Sequence, residues 1–444
     1  MQYRIGTLTA GMAMAAALSL ASMQARAATE IQWWHAMEGS LGDKVNEIAG
    51  QFNASQSDYV VKPVYKGNYS ETMTSTVAAF RAGKGPAIAQ VFEVGTATMM
   101  NAKGAIYPVY QLMKDTGQSF DPNAFLPAVT GYYTTASGEM LSMPFNSSTP
   151  VVYYNRDAFA KAGLDPDAPP KTWEDVASAG QKIVASGAAP CGFTTTWPSW
   201  IQLENFSARH DIPFASQQNG FGGPKARLKF NQSPAVVEHV QDLINWQKDG
   251  VFRYGGRNDE ASPLFYSGQC AMLMASSASY AGVKANAKDF TFGVTNLPYD
   301  PQLIDAPKNS IIGGASLWVL RGKTDAQYKG VAAFFDYLSS PEVQAEWHQF
   351  SGYLPITEAA YRLTEREGFY ANNPGTRVAI EQMTTGTPSV NSKGLRLGNM
   401  MQIRNVIEEE LERALNGRKS AQQALDDAAS RGNELLAQFE RSVQ

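Results

Sequence analysis

The chain has 444 residues, of which 18% are charged and 44% hydrophobic, and carries a formal net charge of −4. A mildly acidic sequence without a basic stripe argues against nucleic acid as a partner. The length exceeds one ordinary hydrophobic core, so two lobes are expected.

The chain opens on an export signal. Arg4 is followed by a charge-free stretch from Ile5 to Gln24, and then by Ala25-Arg26-Ala27. A basic head, an apolar run and a small-x-small site read as a signal peptide over 1–27, with Ala28 the first mature residue. Its removal takes away Arg4 and Arg26 and moves the net charge from −4 to −6. No Cys stands at the cleavage point and no later stretch is long and apolar enough for a span, so an unanchored protein of a Gram-negative periplasm is expected.

The mature chain starts with a short β-type run ending in Trp33-Trp34-His35, then a helical pattern through Val45, Ile48, Ala49 and Phe52. Tyr59 to Tyr65 alternates as a strand, with Pro63 placing it at an edge. Glu71 to Arg81 reads as a helix, and Gly85-Pro86 breaks the chain before an apolar strand from Ala87 to Phe92. This alternation begins a doubly wound α/β lobe. Pro144 to Tyr154 is an extended crossing with a polar bend at Asn146-Ser147-Ser148-Thr149-Pro150, and Ser310 to Leu320 is a crossing back. Thr172 with Asp175 opens a helix, Gln402 to Asn416 is another, and Ser420 with Gln423 caps a last helix through Phe439.

Two cysteines are present, Cys191 and Cys270. They either pair in an oxidising compartment or remain two buried thiols, and the sequence leaves both open. No catalytic constellation is found: there is no G-x-S-x-G, no P-loop, no H-E-x-x-H and no Cys/His metal spacing, so no catalytic residue, metal or cofactor is assigned. The four histidines, His35, His210, His239 and His348, are scattered. His239 and His348 fall in helical stretches, at surface or internally satisfied positions.

Binding residues stand out more. Tyr69 and Glu93 follow strands, where open α/β sheets bind ligands, and a carboxylate there can accept from two hydroxyls of a polyol. Trp197 and Trp200 flank Pro198-Ser199 and suit either the C–H face of a small polyol or core packing. Ser276-Ser277 and Gly313-Gly314 offer hydroxyls and approachable N–H groups, and Arg404 can give a bidentate pair to a phosphate.

Several segments resemble one family closely. They are Trp34-His35-Ala36-Met37-Glu38-Gly39, Tyr65-Lys66-Gly67-Asn68-Tyr69, Phe92-Glu93-Val94-Gly95-Thr96, Pro144-Phe145-Asn146-Ser147-Ser148-Thr149-Pro150, Trp200-Ile201-Gln202-Leu203-Glu204-Asn205-Phe206, Ile311-Ile312-Gly313-Gly314-Ala315, Gly352-Tyr353-Leu354-Pro355 and Lys393-Gly394-Leu395-Arg396-Leu397-Gly398-Asn399-Met400. Across the mature chain they resemble the periplasmic glycerol-3-phosphate-binding proteins of Ugp-type ABC importers, within the family-1 extracellular solute-binding class. Thr194 to Ser199 departs from that family's smaller, Gly-rich residues.

The resemblance implies a two-lobe α/β periplasmic-binding-protein fold of type II, similar to maltose-binding protein, with a cleft between lobes. Lobe 1 would take 28–147 with about 313–354, and lobe 2 about 148–312 with about 355–444. It implies that Tyr69, Glu93, Ser148, Ser276 or Ser277, Gly313 or Gly314, Tyr353 and Arg404 line the cleft, with Trp197 and Trp200 against the glycerol. The implied function is capture, without catalysis, of sn-glycerol 3-phosphate and glycerophosphodiesters such as glycerophosphocholine. The implied partner is an inner-membrane permease and ATPase, served by a monomer. Alternatives are an uncharged sugar or oligosaccharide as ligand, a secreted phosphodiester hydrolase, and a structural envelope protein.

Overall fold

Two β-sheets, joined where one extended segment passes between them, carry the fold. The structure is a computed structural model that describes residues 27–102, 104–135, 137–385 and 387–444. Residues 1–26 of the export-signal reading lie outside the described residues. Among the described residues no helix is long and apolar enough to cross a membrane.

The first sheet contains β1 (Thr29–His35), β2 (Tyr59–Tyr65), β3 (Ile88–Phe92), β4 (Ile106–Tyr107), β5 (Met143–Ser148) and β10 (Gly313–Leu320). Its order is β2-β1-β3-β10-β4, with β5 also paired to β10. β1 runs parallel to β2 and β3, whereas β10 runs antiparallel to β3, β4 and β5. Pro63 sits on the edge strand β2, where its missing N–H costs no ladder bond. β3 is buried along its whole length, including one polar residue, Gln90. The Gln90 amide donates to Asn146 Oδ1 on β5 and accepts from the Ala36 N–H, each at 2.8 Å. A buried amide satisfied at both ends fixes the loop after β1 against the crossing segment.

The second sheet contains β6 (Pro150–Asn155), β7 (Cys191–Thr195), β8 (Cys270–Ser276) and β9 (Phe292–Asn296), in the order β7-β8-β6-β9. Only Thr149 separates β5 from β6, so one continuous segment passes from sheet to sheet. At that passage Ser148 pairs with Gly313 and Pro150 pairs with Ser276. Gly314 stands at φ +88°, and a Cβ there would lie 1.9 Å from the Asn146 carbonyl oxygen, so only glycine fits.

The helical ends follow local signals. Thr172 with Asp175 and Ser420 with Gln423 form complete capping boxes, as their spacing predicts. The helix Met400–Leu415 buries Ile403, Arg404, Ile407, Glu408 and Leu411 on one side and packs on the last helix, Ala421–Val443. The helix Glu358–Arg366, given to lobe 2 by the sequence division, packs on Pro341–Ser351, and Thr357 bridges Phe125. The chain after Tyr353 thus continues into a helix packed on the helix that precedes it.

Cys191 and Cys270 are in-register partners on the parallel strands β7 and β8 and form a disulfide, with Cα atoms 4.5 Å apart. This settles the choice the sequence left open. The bridge spans 79 residues, a loop worth about 4–5 kcal/mol in the chain-entropy view. Replacing both cysteines with serine is expected to lower stability by about 2–4 kcal/mol in urea titration, with ligand affinity unchanged. A loss below about 0.5 kcal/mol would show that the bridge does not constrain the unfolded chain.

Candidate functional site

The passage between the sheets forms the floor of a cavity of about 810 Å³. Of the residues singled out from sequence, Tyr69, Glu93, Ser148, Trp197, Trp200, Ser276, Gly313, Gly314, Tyr353 and Arg404 all line it. Ser277 does not. Its hydroxyl accepts from the Thr149 N–H at 3.4 Å, and it lines a separate small cavity beside Tyr153 and Tyr280. Alternation along the strand end explains the split: Ser276 closes β8 facing the cleft, and the next residue points away.

One side of the cavity is neutral and rich in donors. Ser148, almost fully buried, lines the cavity next to its strand partner Gly313. The Ser276 hydroxyl accepts from the Ala278 N–H at 3.1 Å and retains its own O–H to donate. The Tyr69 and Tyr353 hydroxyls lie 3.4 Å apart, and Asn146 donates to Tyr69 at 2.9 Å. Burial raises both phenols, Tyr353 to about 12, so both remain donors at neutral pH.

The other side holds charge. Arg404 donates through Nε and Nη2 to the two carboxylate oxygens of Glu204, each at 2.7 Å. Its Nη2 also lies 2.6 Å from Glu93 Oε1. All three side chains are buried. Burial raises the Glu93 carboxyl above its ordinary value; Arg404 opposes this, and the neighbouring Glu204 adds to it. Arg404 itself is held more firmly protonated than usual, the two carboxylates overcoming the cost of its burial.

This corrects one expectation. The Arg404 fork is not open for a bidentate pair with a phosphate, because Glu204 already occupies it. Glu204 lies 200 residues from Arg404 in sequence, and no local pattern links them.

Trp200 packs its ring on Gly313, where a Cβ would come within 2.5 Å of it, and its Nε1 is buried without a protein partner. Trp197 stands at φ +45° and is clamped twice, its N–H donating to the Asn258 carbonyl at 2.8 Å and its Nε1 to Asp259 at 3.1 Å. Sequence reasoning also missed the acidic wall beyond it, formed by Glu38, Asp259 and Glu260 with Tyr266. Burial pushes the Asp259 carboxyl up to about 6, the Trp197 N–H lowers it and Glu38 raises it further. Among the described residues no cluster of His, Cys, Asp and Glu is arranged to hold a metal.

Residues 47–377 match the model of a bacterial extracellular solute-binding protein family. The chain belongs to that family. It is 56% identical to the sn-glycerol-3-phosphate-binding periplasmic protein UgpB of Yersinia enterocolitica, over 96% of this chain and 97% of that one. The protein of the same name from Escherichia coli K12 is 54% identical over 97% of this chain and 98% of its own. Among solved structures, UgpB from Mycobacterium tuberculosis in complex with glycerophosphocholine superposes with a TM-score of 0.78 at 22% identity, covering 94% of this chain and all of that one. A cyclic maltosyl-maltose binding protein from Arthrobacter globiformis superposes at 0.72 with 24% identity, covering 92% of this chain and 99% of that one. The chain shares with these neighbours the two-lobe, maltose-binding-protein-like α/β fold.

Proposed function

We propose that this solute-binding protein captures sn-glycerol 3-phosphate and glycerophosphodiesters such as glycerophosphocholine in the periplasm and delivers them to an ABC permease and ATPase. The carrying observation is a single cavity with neutral donors on one side and the Glu93–Arg404 pair on the other, in a chain 56% identical to a UgpB protein. No bond is made or broken. Ligand bridging the lobes favours the closed form, because only that form engages both sides. The proposed lobes take 28–147 with about 313–354 and about 148–312 with about 355–444.

Charge decides which end of the ligand lies where. Arg404 touches two carboxylates, so with both ionised that side carries an excess negative charge and repels a phosphate. A guanidinium edge beside a carboxylate instead suits two adjacent hydroxyls, one accepting and one donating. The phosphate fits the opposite side, where Ser148, Ser276, the Gly313-Gly314 backbone, Tyr69 and Tyr353 offer hydrogen bonds without opposing charge. A volume of about 810 Å³ leaves room beyond a glycerol phosphate, and the wall of Glu38, Asp259, Glu260 and Trp197 suits a cationic head group such as choline.

Calorimetric titration with glycerol 3-phosphate, glycerophosphocholine and maltose tests the reading. Saturable heat is expected with the first two and none with maltose. Binding of maltose alone would establish the uncharged-sugar reading, and release of free choline from glycerophosphocholine would establish a hydrolase.

A further inference from the structure

Glu204 sits in a seven-residue π-helical turn, Ser199–Asn205, that does three things at once. It places Trp200 against Gly313. Through the Asn205 side chain it ties its own Trp200 carbonyl, at 3.0 Å, to the N–H of Ile311 on the returning segment, at 2.9 Å. Through Glu204, 1% exposed and itself fixed by the Ser199 hydroxyl at 2.9 Å, it takes both outer donors of the Arg404 fork. π-turns are uncommon and recur at functional sites, and here the wider turn brings the carboxylate, the ring and the amide to three walls of one cavity.

Two consequences follow for Arg404. Its position is set, since a bidentate pair fixes the plane of the guanidinium as well as its distance. Its charge is also spent inside the protein. Glu204 takes Nε and Nη2, Glu93 takes the remaining reach of Nη2, and Nη1 is left without a protein acceptor among the described residues. An arginine in that state retains directional N–H groups for a hydroxyl but little net attraction for an anion.

Building on the proposed ligand, we propose that Glu204 is a positioning and specificity-determining residue: it converts Arg404 from an anion site into a reader of the glycerol hydroxyls. The protein then demands both a phosphate and a diol, and excludes phosphates that lack the diol. Such exclusion follows because unpaired buried polar groups would remain when the hydroxyls are absent.

The test compares dissociation constants for glycerol 3-phosphate and ethyl phosphate, which keeps the phosphomonoester and lacks the diol. The wild-type protein is expected to favour glycerol 3-phosphate strongly. In Glu204→Gln the guanidinium is freed to pair with phosphate, so the ratio should fall by at least about tenfold, partly through tighter ethyl phosphate binding. Glu204→Asp keeps the charge and should recover most of the ratio. Because Glu93 still balances Arg404, Glu204→Gln is expected to fold. Should it not, Ser199→Ala loosens the same carboxylate and should lower the ratio by about threefold.

A ratio within twofold of wild type in folded Glu204→Gln (or in Ser199→Ala, where that variant decides) overturns the assignment. So does an equal loss in Glu204→Asp, since geometry alone would then explain it. A wild-type protein that binds no glycerol 3-phosphate removes the proposed ligand itself, which separates that failure from failure of the Glu204 role.

Discussion

Arg404→Ala should weaken glycerol 3-phosphate binding by at least about 30-fold, because losing charged N–H donors to buried glycerol hydroxyls costs about 2 kcal/mol or more. The same substitution strips Glu93 and Glu204 of the cation that both contact. Leaving buried carboxylates unpaired costs about 3–5 kcal/mol, so the variant should lose stability as well as affinity. The sequence, in which Arg404 appears as one side chain near a helix start, gives no hint of this second loss. pH distinguishes the two effects. The Glu93 carboxyl lies above its ordinary value of 4.5 even with Arg404 present, and removing the cation raises it further. A carboxyl raised in the folded state contributes its stability below the unfolded value and loses it as pH rises. Urea titration should therefore find Arg404→Ala closest to wild type near pH 5 and furthest from it near pH 8. Calorimetry showing glycerol 3-phosphate affinity within threefold of wild type would refute the role of Arg404 in binding. A stability difference independent of pH would refute the electrostatic account of the fold defect.

Much of this site is legible in the sequence, and what is missing has a common physical cause. Tyr69 and Glu93 follow parallel strands, and the carboxyl ends of such strands are where open α/β sheets bind ligands. The Thr172–Asp175 and Ser420–Gln423 boxes are local, and each is found intact. The passage at Ser148 and the glycines at 313–314 are visible because a bend and a glycine pair interrupt apolar runs. The Glu204–Arg404 pair is different. Its members lie 200 residues apart, and Glu204 occupies a π-turn within a sequence whose spacing does not distinguish it from an α-helix. Trp197 at φ +45° is similarly silent, since nothing in Thr196-Trp197-Pro198 demands a left-handed tryptophan. Ser276 and Ser277 differ only in which way a strand end turns. Tertiary pairing decides all of these, and local propensity does not encode it.

The histidines lead to the second large effect, a loss of stability on mild acidification. All four are buried. His210 donates from Nδ1 to the Phe206 carbonyl and accepts at Nε2 from the Asp300 N–H at 2.8 Å, an arrangement open only to the neutral ring. His348 donates from Nδ1 to the carbonyl of Tyr353, and its Nε2 meets the Tyr370 hydroxyl at 2.9 Å, a partner able to donate to a neutral ring or accept from a charged one. His239 lies stacked on Phe206 with centroids 4.0 Å apart. Burial lowers His35, His210 and His348 from 6.5 to about 4 and His239 to about 3. The unfolded chain binds protons below pH 6.5 that the folded chain refuses, so stability is present above that pH and falls as pH drops towards 4. Between pH 7 and pH 5 each histidine costs about 1.8 kcal/mol, or about 7 kcal/mol for the four. Glu408 works in the opposite sense: burial raises it to about 7, and its neutral form is favoured on acidification. It returns about 2 kcal/mol over the same interval. Asp259, raised to about 6, adds little because it faces the water of the cavity. The expected net loss between pH 7 and pH 5 is about 5 kcal/mol, a large share of the stability of an ordinary domain. Ordinary carboxylate protonation acts mainly below that interval, so the window itself identifies the histidines. Urea titrations at half-unit steps should show the fall, and proton resonances of all four rings should remain in their neutral positions down to pH 5. A flat midpoint across the window, or one ring titrating near 6.5, would show that the folded chain accepts the proton. For His348 that result would mean the hydrogen bond holding the Tyr353 carbonyl, and with it one wall of the ligand cavity, survives a charged ring.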